Sequence, residues 1–446
     1  MASTARFSLI IQKIFSYSMG NIRMLKGSTL NSLIVGVIGF FILISYGLQL
    51  QKDNEYIGYV NINLDMPYLS RVVFGIILLG IILPKKIIRP SDFFAFLYGF
   101  FVLLPYVLLS SVRGEVPFAE FVVFFMTLVL PLLLIKLMIL TMPVIRVPGI
   151  LTQGSVIFVL CLFVAVGIMV ALSNPTPSAG FDFSNVYERR LEGRDIFISG
   201  SLFSYLSAAN INGFSPFIAF WACWKKKYWL LVVPILCWLT FFYLLGVKAP
   251  LLFICVAALL GMAANKAKIV SFISYIYWLV MAAFCIFAIE YSLNGYSYVA
   301  DYFIRRSFAV PPWVMSSFFE FMSSDNTSWS LLNGALEDKP ISLLIGEDFL
   351  GMDGLNANTN AFIYSLGAGG IPLYFLTIAL VGVVFLILDS AFSVKNNPSF
   401  ICLGFSYAIL VIEQAATTAL LSSGIGMLIA LMIFSKRNMD STYAAK

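Results

Sequence analysis

Apolar runs of about 17–25 residues recur along nearly the whole chain, the length an α-helix needs to cross a bilayer. They lie near residues 30–50, 68–83, 92–110, 118–140, 150–172, 199–224, 228–245, 249–264, 270–290, 360–388, 399–413 and 418–434. The last two are short enough to form one bent hairpin. Spans set this densely leave no room for a separate soluble domain, so residues 1–446 read as a single transmembrane domain. Only 11% of residues are charged and the mean hydropathy is +0.94. An ordinary soluble protein carries about 25% charged residues and is thereby excluded. The expected fold is an all-α polytopic integral membrane protein of about 12 transmembrane helices.

The loops orient it. Arg6, Lys13, Arg23 and Lys26 precede the first span without an acid among them. Lys85, Lys86 and Arg89 follow the second span, Lys136 and Arg146 the fourth, and Lys225, Lys226 and Lys227 the sixth. Lys266 and Lys268 follow the eighth, Lys395 the tenth, and Lys436 and Arg437 the last. Every second loop is basic, which places both termini in the cytoplasm. Loops near 51–67, 111–117, 173–198 and 291–358 then face outward, and only the last two are long. The net charge of +6 is this bias and implies no nucleic-acid partner. Segment 1–26 sets Phe7, Ile10, Ile11, Ile14 and Phe15 among basic residues, the pattern of a helix lying on the inner surface. It offers no small-residue cleavage site, so no cleavable signal peptide is expected. All six cysteines fall inside apolar spans, so no disulfide is expected.

Against this bias stand two arginine clusters in the outward loops. The first reads Tyr187-Glu-Arg-Arg-Leu-Glu-Gly-Arg194, the second Asp301-Tyr-Phe-Ile-Arg-Arg306. As a helix, 186–196 puts Glu188, Glu192 and Asp195 on one arc. Arg190 and Arg194 share the opposite face, with Arg189 between the two. The same spacing suits a solvated helix held by Glu–Arg pairs, each worth a few tenths of a kcal/mol. It equally suits a grip on phosphate, because a guanidinium stays charged and bonds phosphate oxygens in pairs. In the second cluster Asp301 stands four residues before Arg305 and beside Tyr302, among many aromatic residues. These rings read either as an aromatic belt at the membrane surface or as a wall for sugars. The Pro311-Pro312 pair is expected to stop the preceding helix.

The chain has no histidine. The usual general base and the commonest metal ligand are therefore missing. No CxxC, HExxH or Walker-type phosphate loop is present. Other candidates remain. Lys248 sits in the short turn Gly246-Val-Lys-Ala-Pro250, where a lysine either snorkels or meets an anion. Glu413 lies in an apolar stretch near the outer end of a span, either as a functional carboxylate or as structural glue. With no histidine available, it is the expected general base or acceptor-orienting group. Asn356, Asn358 and Asn360 alternate just before a span and suit sugar hydroxyls or, equally, a helix cap. An anionic head, a greasy tail and sugars together describe a polyprenyl-pyrophosphate-linked glycan. Its transfer requires charge stabilisation on the departing pyrophosphate.

From about 180 to 430 the sequence resembles the Wzy-type O-antigen polymerases. Phe181-Asp-Phe183, Tyr187-x-Arg-Arg190, Arg194 and Gly200 are similar to that family's third periplasmic loop, with Arg189 and Gly200 in an Arg-x10-Gly pattern. Tyr296-Ser297, Asp301-Tyr-Phe303, Arg305-Arg306, Phe308 and Val310-Pro311 resemble its later arginine loop. There some members carry Arg-x15-Gly, where this chain has Phe321 and Met322. The Gly246-x-Lys248 turn, Asn356-Ala-Asn358 and Glu413-Gln414 with Thr417-Thr418 also have counterparts.

The resemblance implies a GT-C-like fold in a bacterial inner membrane, with periplasmic loops at 173–198 and 291–358. It implies an enzyme that moves a growing glycan from undecaprenyl pyrophosphate onto an incoming lipid-linked repeat unit. Arg189, Arg190, Arg194, Lys248, Arg305 and Arg306 would hold pyrophosphate. Tyr187, Tyr302, Asn356 and Asn358 would hold glycan, and Glu413 or Asp301 would act catalytically. No cofactor or metal is expected; a flippase and a chain-length regulator are the expected partners. Two rivals are an O-antigen ligase and a glycolipid flippase or other transporter. The ligase family relies on a periplasmic histidine, which this chain lacks. Transporters commonly carry internal repeats and midplane sites, whereas these loops are lopsided.

Overall fold

The computed structural model describes residues 22–182, 189, 192–193, 201–266, 268–324 and 339–436. Most of the expected surface segment 1–26 lies outside them. Among the described residues the chain is helical with no strand, apart from one isolated bridge between Leu151 and Ser435. In chain order the main helices are α1 (Ile22–Ser45), α2 (Met66–Ile82), α3 (Pro90–Tyr98), α4 (Phe118–Thr141) and α5 (Gln153–Leu172). Then come α6 (Leu202–Ala209), α7 (Ser215–Trp224), α8 (Val232–Leu245), α9 (Ala249–Asn265) and α10 (Phe272–Asn294). Last are α11 (Val310–Ser324), α12 (Ala361–Lys395), α13 (Ser399–Glu413), α14 (Ala416–Leu420) and α15 (Ile425–Ile433).

Seven stretches among the described residues are long and apolar enough to cross a membrane. They are Asn31–Asp53, Pro90–Leu109, Phe118–Thr141, Gln153–Leu172, Tyr228–Leu245, Ile269–Asn294 and Ala361–Lys395. Met66–Ile82, Pro250–Asn265 and Ser399–Glu413 are apolar but shorter. Other expected spans are helical but shorter or less apolar. Run 199–224 is helical from residue 202 to 224 and carries a π-helical turn, Asn210–Phe214, with polar Asn210 and Asn212 inside it, whereas run 418–434 is broken before α15.

The helices form two compact units. The first comprises Met1–Lys85, Ala95–Pro143 and Ser274–Gly382; the second comprises Lys86–Phe94, Val144–Ile273 and Val383–Lys446. In the first unit, aromatic rings fill the core. Phe101 stacks on Phe308 at 5.6 Å and Phe124 on Phe319 at 4.3 Å between ring centroids. Gly75 of α2 lies against Val107, a contact that any side chain would obstruct. Small residues let membrane helices approach in this way. In the second unit Gly261 of α9 similarly lies against the backbone of Phe220 in α7. Lys395 ends α12 with its Nζ donating to the carbonyl oxygens of Ile433 and, at 2.6 Å, Ser435. That bond capture satisfies the last turn of α15, whose carbonyls have no partner within the helix.

Candidate functional site

The second arginine cluster lies in the first unit. Ala300–Ala309 is π-helical over all 10 residues and runs unbroken into α11, the Val310 N–H bonding to the Arg305 carbonyl. The expected stop at Pro311-Pro312 is therefore corrected. The pair stands inside a continuous helix, and the widened π turn ahead of it shifts the register so that the helix runs past the two missing N–H groups. π-helical turns are rare and concentrate at functional sites.

Two side chains fix the start of this segment. Gln49 Nε2 donates to the Ser297 carbonyl at 3.1 Å while its Oε1 accepts from the Ser297 N–H at 2.9 Å. Glu290 Oε2 accepts from Ser297 Oγ at 2.6 Å and from the Val299 N–H at 3.1 Å. Further along, Arg305 Nε stands 2.8 Å from Asp301 Oδ1, and its Nη1 donates to Asn54 Oδ1 at 3.0 Å. Asn54 is itself oriented by donating through Nδ2 to the Leu50 carbonyl at 2.7 Å. The Tyr59 side chain lies beside this group, and its ring stacks on Tyr46 at 5.9 Å. Burial pushes the Tyr59 hydroxyl well above its ordinary range, with the Arg305 charge pulling the other way. It therefore remains a protonated donor.

Arg306 and Tyr302 are exposed, Tyr302 by 66%. Among the described residues, Arg306 makes no ion pair, and no partner meets Nη2 of Arg305. Within Ala300–Ala309 itself two guanidinium groups stand against the Asp301 carboxylate, while Glu290 is occupied by Ser297 and Val299 at its start. Nearby in the same unit, Arg113 pairs with Glu320 at 2.9 Å and lies over the rings of Trp313 and Phe349 at 5.9 and 5.8 Å. Sequence reasoning passed over Arg113, although it carries the same signal as the clusters: an arginine in a loop that the charge pattern would place outside. Asn54, Gln49 and Glu290 gave no signal, because their role depends on what packs against them.

Asn356 and Asn358 are exposed in the loop before α12. Asn360 is the cap of that helix: its Oδ1 accepts from the N–H groups of Phe362 and Ile363 at 3.2 and 3.1 Å.

The remaining candidates belong to the second unit. Tyr187, Arg190 and Arg194 lie outside the described residues, as does most of the expected helix 186–196. Arg189, Glu192 and Gly193 within it are helical. Arg189 is fully buried. Its Nη1 donates to the carbonyls of Gly180, Phe242 (3.4 Å) and Tyr243 (3.3 Å), and its Nη2 to that of Asp182. Its guanidinium lies 5.7 Å over the Phe242 ring. Glu192 accepts from the Ser178 hydroxyl and, at 3.0 Å, from the Ser178 N–H. Both residues thus tie segment 176–182 to its surroundings. Lys248 is exposed in the turn between α8 and α9, which Gly246 starts at φ 62°, a left-handed conformation suited to glycine. Glu413 is exposed at the end of α13 and makes no ion pair among the described residues.

Compared with known proteins, the chain matches no family model, no curated protein and no solved structure.

Proposed function

We propose that this chain is an O-antigen polymerase, a polyprenyl-pyrophosphate-dependent glycosyltransferase. It would act at the periplasmic face of a bacterial inner membrane, with about twelve membrane passages in a GT-C-like arrangement and both termini in the cytoplasm. The observation that carries this reading is the arginine pair on Ala300–Ala309, one held and one exposed. In a membrane-crossing helical chain, a rare π-helical segment holds Arg305 by Asp301 and Asn54 and leaves Arg306 exposed beside Tyr302. Such a surface suits the pyrophosphate of a lipid-linked glycan at the membrane boundary.

In the reaction, the bond from the sugar's anomeric carbon to the pyrophosphate oxygen breaks. A hydroxyl oxygen of the incoming repeat unit forms the new bond to that carbon. Arg305 and Arg306 stabilise the negative charge gathering on the pyrophosphate. The hydroxyl proton passes to a base. Asp301 is engaged by Arg305 at 2.8 Å and better suits positioning. Glu413, in the second unit, is unpaired among the described residues and is the carboxylate to test for that role. A flippase delivers the substrate and a chain-length regulator sets the end of growth.

Purified protein in lipid discs, given synthetic undecaprenyl-pyrophosphate repeat units, is expected to form a ladder of polymers, and R305A/R306A is expected to lose it. Transfer to lipid A core without polymerisation would identify a ligase instead. Transbilayer movement without bond formation would identify a flippase.

A further inference from the structure

Helices α13 and α15 hold 15 and 9 residues, about 22 and 14 Å of helix. Lys395 joins their common end, bonding the carbonyls that close α15 four residues before α13 begins at Ser399. A hydrocarbon core is about 30 Å thick, so with that common end at one boundary the hairpin 414–424 turns back roughly 8–16 Å short of the other. Asn212, in the π-helical turn Asn210–Phe214, lies about 18 Å along its helix from Trp224 and so reaches a similar depth.

Irregular backbone at such depth persists only where protein encloses it or water reaches it. Both conditions hold on different sides. On the enclosed side, buried Ser423 Oγ receives Gln414 Nε2 at 3.0 Å and Asn212 Nδ2 at 3.5 Å. Gly213 lies against the Ser423 carbonyl, and Gly424, at φ 71°, packs on Ala209 and Phe214. Asn210 is fully buried with its Oδ1 unpartnered among the described residues. A cavity of about 10 Å³, lined in part by Asn212, Pro216 and Ser406, adjoins the turn and fits one water molecule. On the other side Glu413, Thr417 and Thr418 are exposed. A carboxylate beside two hydroxyls is costly against lipid tails and stable against water.

We propose that hairpin 414–424 and the turn at 210–214 form the floor of a water-filled vestibule sunk into the membrane. On it, the half-buried Asn212 and Gln414 amides, steadied by the buried Ser423 hydroxyl, bind the hydroxyl groups of a neutral sugar. Amides offer paired donors and acceptors without net charge, the complement of sugar hydroxyls rather than of phosphate. The vestibule stands on geometry alone; the choice of sugar rests on the function proposed above.

The test has two arms in the full-length protein. In a background with the six native cysteines replaced, T417C and T418C should react with a membrane-impermeant thiol reagent added opposite the basic loops. F158C, exposed by 72% on the apolar helix α5, should not react. Labelling of T417C and T418C no faster than F158C overturns the vestibule. In the second arm, N212L and Q414L should each raise KM for the lipid-linked repeat unit about tenfold, with kcat within about twofold and thermal stability preserved. Unchanged KM in both variants, or loss of kcat and stability without a KM change, overturns the sugar site. If the wild-type protein makes no polymer, the functional reading fails, while the labelling still decides the vestibule.

Discussion

Arg189 and Arg305 look alike in sequence: each sits in an arginine cluster of a loop that the charge pattern would place outside. Their surroundings differ completely. Arg189 is fully buried, and its Nη groups meet only backbone carbonyls among the described residues. Arg305 is partly exposed, holds one carboxylate, and stands beside the exposed Arg306. The first arrangement joins segment 180–182 to the end of α8. The second presents charge. An arginine that defies topology is thus required by the protein, but the requirement is met either by its own backbone or by a ligand.

That contrast can be broken most directly at Arg189. Arg189→Met removes every carbonyl bond at once, and a loss on the order of 3 kcal/mol is expected because the acceptors are left buried. The measurement is folded yield and melting temperature in detergent. A stable but inactive Arg189→Met would move this residue into the substrate site and erase the distinction.

For Arg305 the expectation is reversed. Arg305→Ala should cost less than about 1 kcal/mol of stability, as partly exposed ion pairs do, yet lower polymer turnover on the order of 100-fold. Arg305→Lys should recover only part of this, because an ammonium lacks the planar fork. Equal turnover in Arg305→Ala and wild type would leave the segment as scaffolding.

A smaller effect sharpens the comparison in the loop before α12. Asn360→Ala should destabilise by about 1 kcal/mol as a lost helix cap, with no change in KM. Asn356→Ala, at an exposed site, should leave the melting temperature unchanged and raise KM a few-fold. The reverse pattern would exchange the two roles.

The smallest expected effect concerns Glu413. Pyrophosphate departs readily, so Glu413→Gln should slow turnover only modestly, while flattening its pH profile. A full rate with an unaltered profile removes it as base.

The positions of the helices were largely legible. Run 118–140 appears as Phe118–Thr141 and run 270–290 as Phe272–Asn294, because apolar composition and helix length express the same physical demand. Breaks inside runs were not legible. Nothing in Asn210-Ile-Asn-Gly-Phe214 announces a π turn; that depends on Gly213 meeting the Ser423 carbonyl from far along the chain. Likewise Pro311-Pro312 read as a stop, since the sequence does not disclose a helix already running into it with its register shifted. The division of the candidate residues between two units was equally hidden, because the units interleave along the chain.

The sequence by itself determined that the chain is a helical membrane protein, and it marked arginines, a lysine and a carboxylate whose placement needs a reason. Hydropathy and charge act locally, so a linear reading recovers them. Tertiary structure alone decided that Arg189 serves backbone carbonyls, that Asn54 and Asp301 hold Arg305, and that α13 and α15 stop short of a full span. Each of these depends on which distant group satisfies a polar atom, and that is fixed only when the helices pack.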